Sequence, residues 1–169
     1  MIINWITDNY IEVLGAITGL IYLYFSYHQN KLLWPLGLIT SSLYIVFFFD
    51  TKLYADMSLQ VYYVIISIYG WIYWSSGKRI KNDKKKILPV KSIELRTWLI
   101  LILVTAILTV LAGFFLKKYT DAALPYLDAF TTAGGIVATW MLARKLLENW
   151  LFWIIVDIVA SGMYFYKGK

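Results

Sequence analysis

The chain has 169 residues, of which 60% are hydrophobic, 18% aromatic and 15% charged, with a mean hydropathy of +0.64; this excludes an ordinary soluble domain and points to an integral membrane protein. Cysteine is absent and histidine occurs once, which removes disulfides, thiolate metal sites, a Cys nucleophile and His metal clusters. A net charge of +6 would suggest nucleic acid in a soluble protein, but here most of it sits in one loop, so no nucleic-acid partner is expected.

Six runs of about 20 residues are nearly free of charge, the length that roughly 30 Å of hydrocarbon asks of a helix. They cover approximately 8–28, 32–50, 54–75, 97–116, 124–143 and 147–166. The first follows "MIINWITDNY", which lacks the basic region of a signal peptide, so no cleavage is expected. Its small and polar residues Glu12, Gly15, Gly19, Tyr22 and Ser26 recur at spacings of 3 and 4, which puts them on one side of a helix. Run two repeats the pattern with Trp34, Gly37, Ser41 and Tyr44, and run three with Asp56, Gln60, Tyr63, Ser67, Trp71 and Trp74. Val61, Val64, Ile65, Ile68 and Ile72 form the apolar side of run three, toward lipid or neighbouring helices.

The loop "GKRIKNDKKKILPVKSIELR", 77–96, comes next. Run four is the plainest, with Thr97, Thr105 and Thr109 and no charge in its middle. Run five carries Asp128, Thr131, Gly135, Thr139 and Leu142 on one stripe; run six carries Asn149, Trp153, Asp157, Ala160 and Tyr164. Basic residues beside membrane spans collect in the cytoplasm, so the loop is inside and the N-terminus outside. "HQNK" at 28–31 and "ARK" at 143–145 then fall inside and "DTK" at 50–52 outside. Lys31, the eight basic residues from Lys78 to Arg96, and Arg144 with Lys145 are inside, 11 of the 16 Lys and Arg; Lys117 and Lys118 run against the rule. The lysines at 84–86 suit acidic lipid headgroups.

Shifted by 116 residues, the chain resembles itself. "YIEVLGAITGL" from Tyr10 falls on "YLDAFTTAGGI" from Tyr126, setting Glu12 over Asp128, Gly19 over Gly135 and Trp34 over Trp150. Two copies of a three-helix unit keep the same orientation only if one further helix carries the chain back across the membrane, and run four does so. The expected organisation is therefore all-α and polytopic: a three-helix bundle over 1–76, a basic cytoplasmic loop over 77–96, a linker helix over 97–118, and a second bundle over 119–169. That second bundle holds two of its three helices, so six spans are present and the seventh is missing. The end "YFYKGK" resembles "FFFDTK" at 47–52, and of a truncated or a native six-helix chain the repeat favours the former.

Gly and Ser on the stripes let helices pack closely, whereas a carboxylate inside the membrane generally faces a cavity or a partner. Asp157, near the middle of run six, has the strongest claim to such a role; Glu12, Asp56 and Asp128, near outer ends, serve equally as solvated or capping groups. Trp74 and Trp150 lie at the cytoplasmic edge, where tryptophan anchors helices. Trp71 and Trp153 lie a turn deeper and suit a planar or cationic ring held by stacking and cation-π attraction, each on the order of 1 kcal/mol. Gln60 and Asn149 add orienting hydrogen bonds. His28 reads as a solvated turn residue. No nucleophile and base pair is visible, so no enzyme, cofactor or metal is expected.

"WPLGLITSSLYIVFF", "KLYADMSLQVYYVIISIYGWIYW" and "PYLDAFTTAGGIVATWMLARKLLENWLFWIIVDIVASGMYFYKGK" resemble the PnuC family of bacterial vitamin transporters over essentially the whole chain. The resemblance implies seven helices arranged three, one, three, as in a full-length SWEET transporter, in the bacterial inner membrane. It implies uptake of nicotinamide riboside by facilitated diffusion, with a cytosolic kinase trapping the substrate, and hints at homo-oligomers. Relatives carry thiamine, and some riboflavin or deoxynucleosides. Family contacts in helices three and six fall here on Gln60, Tyr63, Trp71, Trp74, Asn149 and Trp153; with Ser67, Thr131 and Asp157 from the polar stripes these form the candidate substrate-binding set. Thiamine transport is the near alternative, and a proton-coupled carrier titrating Asp157 the alternative of another class.

Overall fold

The computed structural model describes residues 10–50, 54–76 and 88–166; of 10–16, 54, 55 and 164 only the backbone is described. The "DTK" turn beyond Asp50, loop residues 77–87 and the Glu12 and Tyr164 side chains therefore lie outside the described set. Among the described residues six helices run in order: α1 Tyr10–Tyr27, α2 Leu33–Asp50, α3 Tyr54–Ser75, α4 Leu95–Tyr119, α5 Pro125–Ala143 and α6 Asn149–Tyr166. Among the described residues there is no strand, only an isolated parallel bridge between Lys91 and Leu146. The apolar runs place these helices within three residues at each described end. The largest departure is α4, which starts two residues early and ends three late. Its ends carry Arg96, Lys117 and Lys118, charges that stop an apolar run without stopping a helix.

Among the described residues two helices, α2 and α4, are long and apolar enough to cross a membrane by length and composition. On α4, Leu99, Ile102, Leu103, Val110, Leu111, Phe114 and Phe115 are each more than half exposed. Seven large apolar side chains open along one helix are a liability in water and ordinary in hydrocarbon.

The chain divides into two compact units, one ending at Ser75 and the other beginning at Ser76. In the first, α2 packs along α3 and touches α1 lightly. The Trp34 ring lies so close to Gly70 that a Cβ there would sit 2.5 Å from it. Trp74 meets the same ring edge-on, centroids 5.4 Å apart and planes at 88°. One turn along α2, Gly37 leaves room for the Ser67 hydroxyl, 3.1 Å from where a Cβ would stand, and for the Tyr22 ring at 3.8 Å.

In the second unit α5 is the middle helix, with α4 and α6 each packed on it. Tyr126 covers Gly113, and Val156 Cγ2 fills the space a Cβ on Gly134 would need, 2.5 Å away. Leu101, Val137, Ala138, Met141 and Phe152 form the buried cluster, with Trp98 and Trp153 packed against it; Trp98 stacks on Phe152 at 5.5 Å. Helix α4 contributes to the core of this unit through Leu101.

Helices α1 and α5 end in the same way. Gln29 (φ 50°) and Lys145 (φ 57°) are the positive-φ non-glycine residues among those described. Gln29 N–H bonds to Ser26 O (3.1 Å) and Asn30 N–H to Phe25 O (2.9 Å); Lys145 N–H bonds to Leu142 O (2.9 Å) and Leu146 N–H to Met141 O (3.0 Å). Both are Schellman closures, which satisfy carbonyls the helix end leaves open. They stand 116 residues apart, the offset at which the sequence resembles itself.

The turn after α5 clasps the approach to α4. Lys91 N–H bonds to Lys145 O and Leu147 N–H to Lys91 O, both at 2.9 Å. Lys145 Nζ donates to Leu88 O at 3.2 Å, and burial pushes its ammonium below its ordinary pKa. Glu148 accepts from the Ser92 hydroxyl and from Ile93 N–H at 3.0 Å. Partial desolvation raises the Glu148 pKa, but these hydrogen bonds outweigh it and the net shift is downward.

Two measurements follow from this packing. Thermal unfolding in detergent should show Gly70→Ala destabilised by about 1–3 kcal/mol through overpacking. Gly162→Ala, where nothing lies within 4 Å of the new Cβ, should be neutral or gain about 0.5–1 kcal/mol. For Glu148→Ala, a depressed folded pKa means the native carboxylate stabilises above the unfolded value and loses that effect as pH falls through the folded one. The variant's deficit in unfolding temperature should therefore be full at pH 7 and shrink below the ordinary value of 4.5.

Candidate functional site

At 100° per residue, burial on α3 is centred to one side of the polar stripe. Ser67 is buried, as are Ile66, Gly70 and Trp74, while Gln60 and Tyr63 are half-buried. Seven residues make almost two turns, so Trp74 returns to within about 20° of Ser67 on the side shared with Gly70; four residues leave Trp71 about 40° to the other side. Trp74 is 5% exposed and Trp71 42%. The two tryptophans of the one stripe thus differ in burial: Trp74 is packed on Trp34, and Trp71 stands on an open flank beside half-buried Gln60. The Tyr62 and Tyr63 rings lie 5.6 Å apart, and Tyr22 reaches across Gly37 to the Ser67 side.

The second unit offers a similar flank. On α6 the packed face is Asn149, Phe152, Val156 and Met163, all buried. Trp153 and Asp157 lie one residue further round from Phe152 and Val156, about 100° away. Trp153 is half-buried against the core cluster; Asp157 is exposed. Asn149 is 2% exposed, and its side-chain amide donates to Leu146 O, so part of its hydrogen-bonding capacity closes the turn into α6. The Thr131 hydroxyl donates to Asp128 O at 2.9 Å and Thr139 to Gly135 O at 2.7 Å. These protons go to the helix's own carbonyls, leaving each hydroxyl as an acceptor.

Each unit is therefore an apolar packed face with aromatic and polar groups beside it: Gln60, Tyr63 and Trp71 on α3, Trp153 and Asp157 on α6. Such groups can stack on a planar ring, bond to hydroxyl or amide groups and balance a positive charge. No Lys or Arg occurs within α1, α2, α3, α5 or α6. Among the described residues no three His, Asp or Glu side chains converge as a metal site would need. Trp34 is absent from the candidate set yet fully buried against it; the signal was in the sequence, as Trp34 heads the α2 stripe, but Gly70, which admits the ring, lies off the α3 stripe.

The model of the nicotinamide mononucleotide transporter family matches residues 9–169. The chain is 26% identical over 181 residues to the nicotinamide riboside transporter PnuC of Escherichia coli, covering 95% of this chain and 76% of that protein. It is 29% identical over 161 residues to the riboflavin/roseoflavin transporter RibM of Streptomyces davaonensis, covering 93% and 73%. Among solved structures, the crystal structure of the vitamin B3 transporter PnuC superposes with a TM-score of 0.73 at 25% identity, over 99% of this chain and 74% of that one. With a family match across nearly its whole length and an all-helical fold shared with a crystallised member, this chain belongs to the nicotinamide mononucleotide transporter family, that of the PnuC transporters.

Proposed function

We propose that the chain takes up nicotinamide riboside across the bacterial inner membrane by facilitated diffusion, through alternating access. The family match over residues 9–169 carries this reading, and the chemistry of the helices refines it. Nicotinamide riboside joins a planar cation to a neutral, hydroxyl-rich tail. In the first unit Trp71 offers a stacking face and Gln60, Tyr63 and Ser67 offer hydrogen bonds, with Trp74 beside them; in the second Trp153 offers a stacking face, Thr131 and Asn149 hydrogen-bonding atoms, and Asp157 a countercharge. A mononucleotide adds a phosphate of roughly two negative charges, which calls for Arg or Lys partners, and five of the six helices hold none. The riboside thus fits better than the phosphorylated form, and cytosolic phosphorylation would trap it inside. Topology follows the basic loop, with 77–96 cytoplasmic and the N-terminus outside, and the 116-residue spacing of Gln29 and Lys145 supports two repeats joined by α4.

A second reading, riboflavin, is favoured by the likeness to RibM: its flat ring and ribityl tail place the same demands on stacking and hydroxyl recognition, without the charge.

Calorimetric titration of purified protein with nicotinamide riboside, its mononucleotide, riboflavin and thiamine decides among these. Micromolar binding of the riboside with at least tenfold weaker mononucleotide binding is expected; tight thiamine or riboflavin binding with none of the riboside would reassign the substrate. Trp71→Ala should weaken riboside binding about tenfold, the loss of one stacking and cation-π contact. Uptake into proteoliposomes should follow the riboside gradient, survive collapse of sodium and proton gradients, and persist in Asp157→Asn; abolition of pH-dependent accumulation by that substitution would instead establish a proton-coupled carrier.

A further inference from the structure

Among the described residues of the first unit one buried side-chain donor has no partner. Trp34 is 1% exposed, and its indole Nε1 is sealed from solvent with no hydrogen-bond acceptor. The ring itself is well held, lying against Gly70 and meeting Trp74 edge-on at 5.4 Å. Phenylalanine would occupy an apolar slot of this kind without a donor to satisfy, so packing accounts for the ring and leaves the N–H unexplained.

We infer that the Trp34 indole N–H is a substrate contact, donating a hydrogen bond to a neutral oxygen of the transported molecule, a carbonyl or a hydroxyl. Three observations select this partner. Indole donates only, so the partner is an acceptor. Neither α2 nor α3 carries a Lys or Arg that would hold an anionic group beside it, so the acceptor is uncharged. One turn along α2, the Ser67 hydroxyl and the Tyr22 ring lie against Gly37, giving a polar group arriving at Trp34 further hydrogen-bonding neighbours. Since Nε1 is sealed in this packing, the acceptor reaches it when the side chains around the Trp34 ring shift. Trp34 is a specificity-determining residue in this scheme, selecting molecules that bring an oxygen to that point.

The inference rests on the transport reading, and the test separates the two. Trp34 is replaced by β-(3-benzothienyl)alanine, which keeps the bicyclic shape and puts sulfur where the N–H was, with Trp34→Phe as a second variant. Binding of nicotinamide riboside and riboflavin is measured by calorimetry, and unfolding temperature is measured without ligand. The expected result is an affinity about tenfold lower for the molecule that wild type binds, with unfolding temperature in the absence of ligand unchanged or raised, because the unmet donor is gone. Unchanged affinity overturns the inference while leaving the transport reading intact. A fall in ligand-free unfolding temperature in the benzothienyl variant also overturns it, since the N–H then serves a water or protein acceptor. Wild-type protein that binds neither vitamin overturns the transport reading first, and the inference with it.

Discussion

In hydrocarbon, two helices gain nothing from expelling water, so what holds them is how closely their surfaces fit. In this protein the closeness is set at glycine. Gly70 admits the Trp34 ring, Gly37 the Ser67 hydroxyl, Gly113 the Tyr126 ring and Gly134 the Val156 side chain. Each is a small gap on one helix filled by a side chain of a neighbour, and each pairing joins helices of the same unit. The outward faces need only be apolar, which explains how α4 can present so many exposed Leu, Ile and Phe side chains and still contribute to a packed core.

That division explains what could be read from the letters alone. Helix positions were legible because hydrocarbon thickness and the penalty for unmet backbone groups leave few other ways to use an apolar run. The orientation of α3 was legible only to within a flank. Polar and aromatic spacing groups Ser67, Trp71 and Trp74 together, but the face that turns inward is decided by Gly70, which carries no side chain to announce itself and matters because of a ring 36 residues earlier in the chain. The clasp of Lys91, Ser92 and Ile93 on Lys145 and Glu148 was hidden for a different reason: its residues belong to a charged segment that topology rules explain fully, leaving no residual signal. The resemblance of the chain to itself at an offset of 116 residues was faint in sequence, and Gln29 and Lys145 lie at the same spacing in the backbone.

The polar groups divide by how they are spent. Thr105, Thr109, Thr131 and Thr139 give their protons to carbonyls of their own helices, and Asn149 gives one to the turn before α6. What stays open beside the packed faces is mostly aromatic surface, with Trp71 exposed in the first unit and the Asp157 carboxylate in the second. Apart from α4, the helices hold no Lys or Arg, so an anionic group beside any one of them would give up its water shell and gain no cation from that helix.

The two left-handed turns carry a consequence for how such a molecule changes over generations. Glutamine and lysine are not residues that choose this conformation, which costs an ordinary side chain roughly 1–2 kcal/mol; the flanking helices and the paired N–H···O bonds impose it. A joint shaped by its surroundings is indifferent to its own spelling. A segment copied within a gene can therefore lose most of its letters at such a joint while keeping its bend, and kinship between two halves of a chain can outlast in geometry what it has shed in composition.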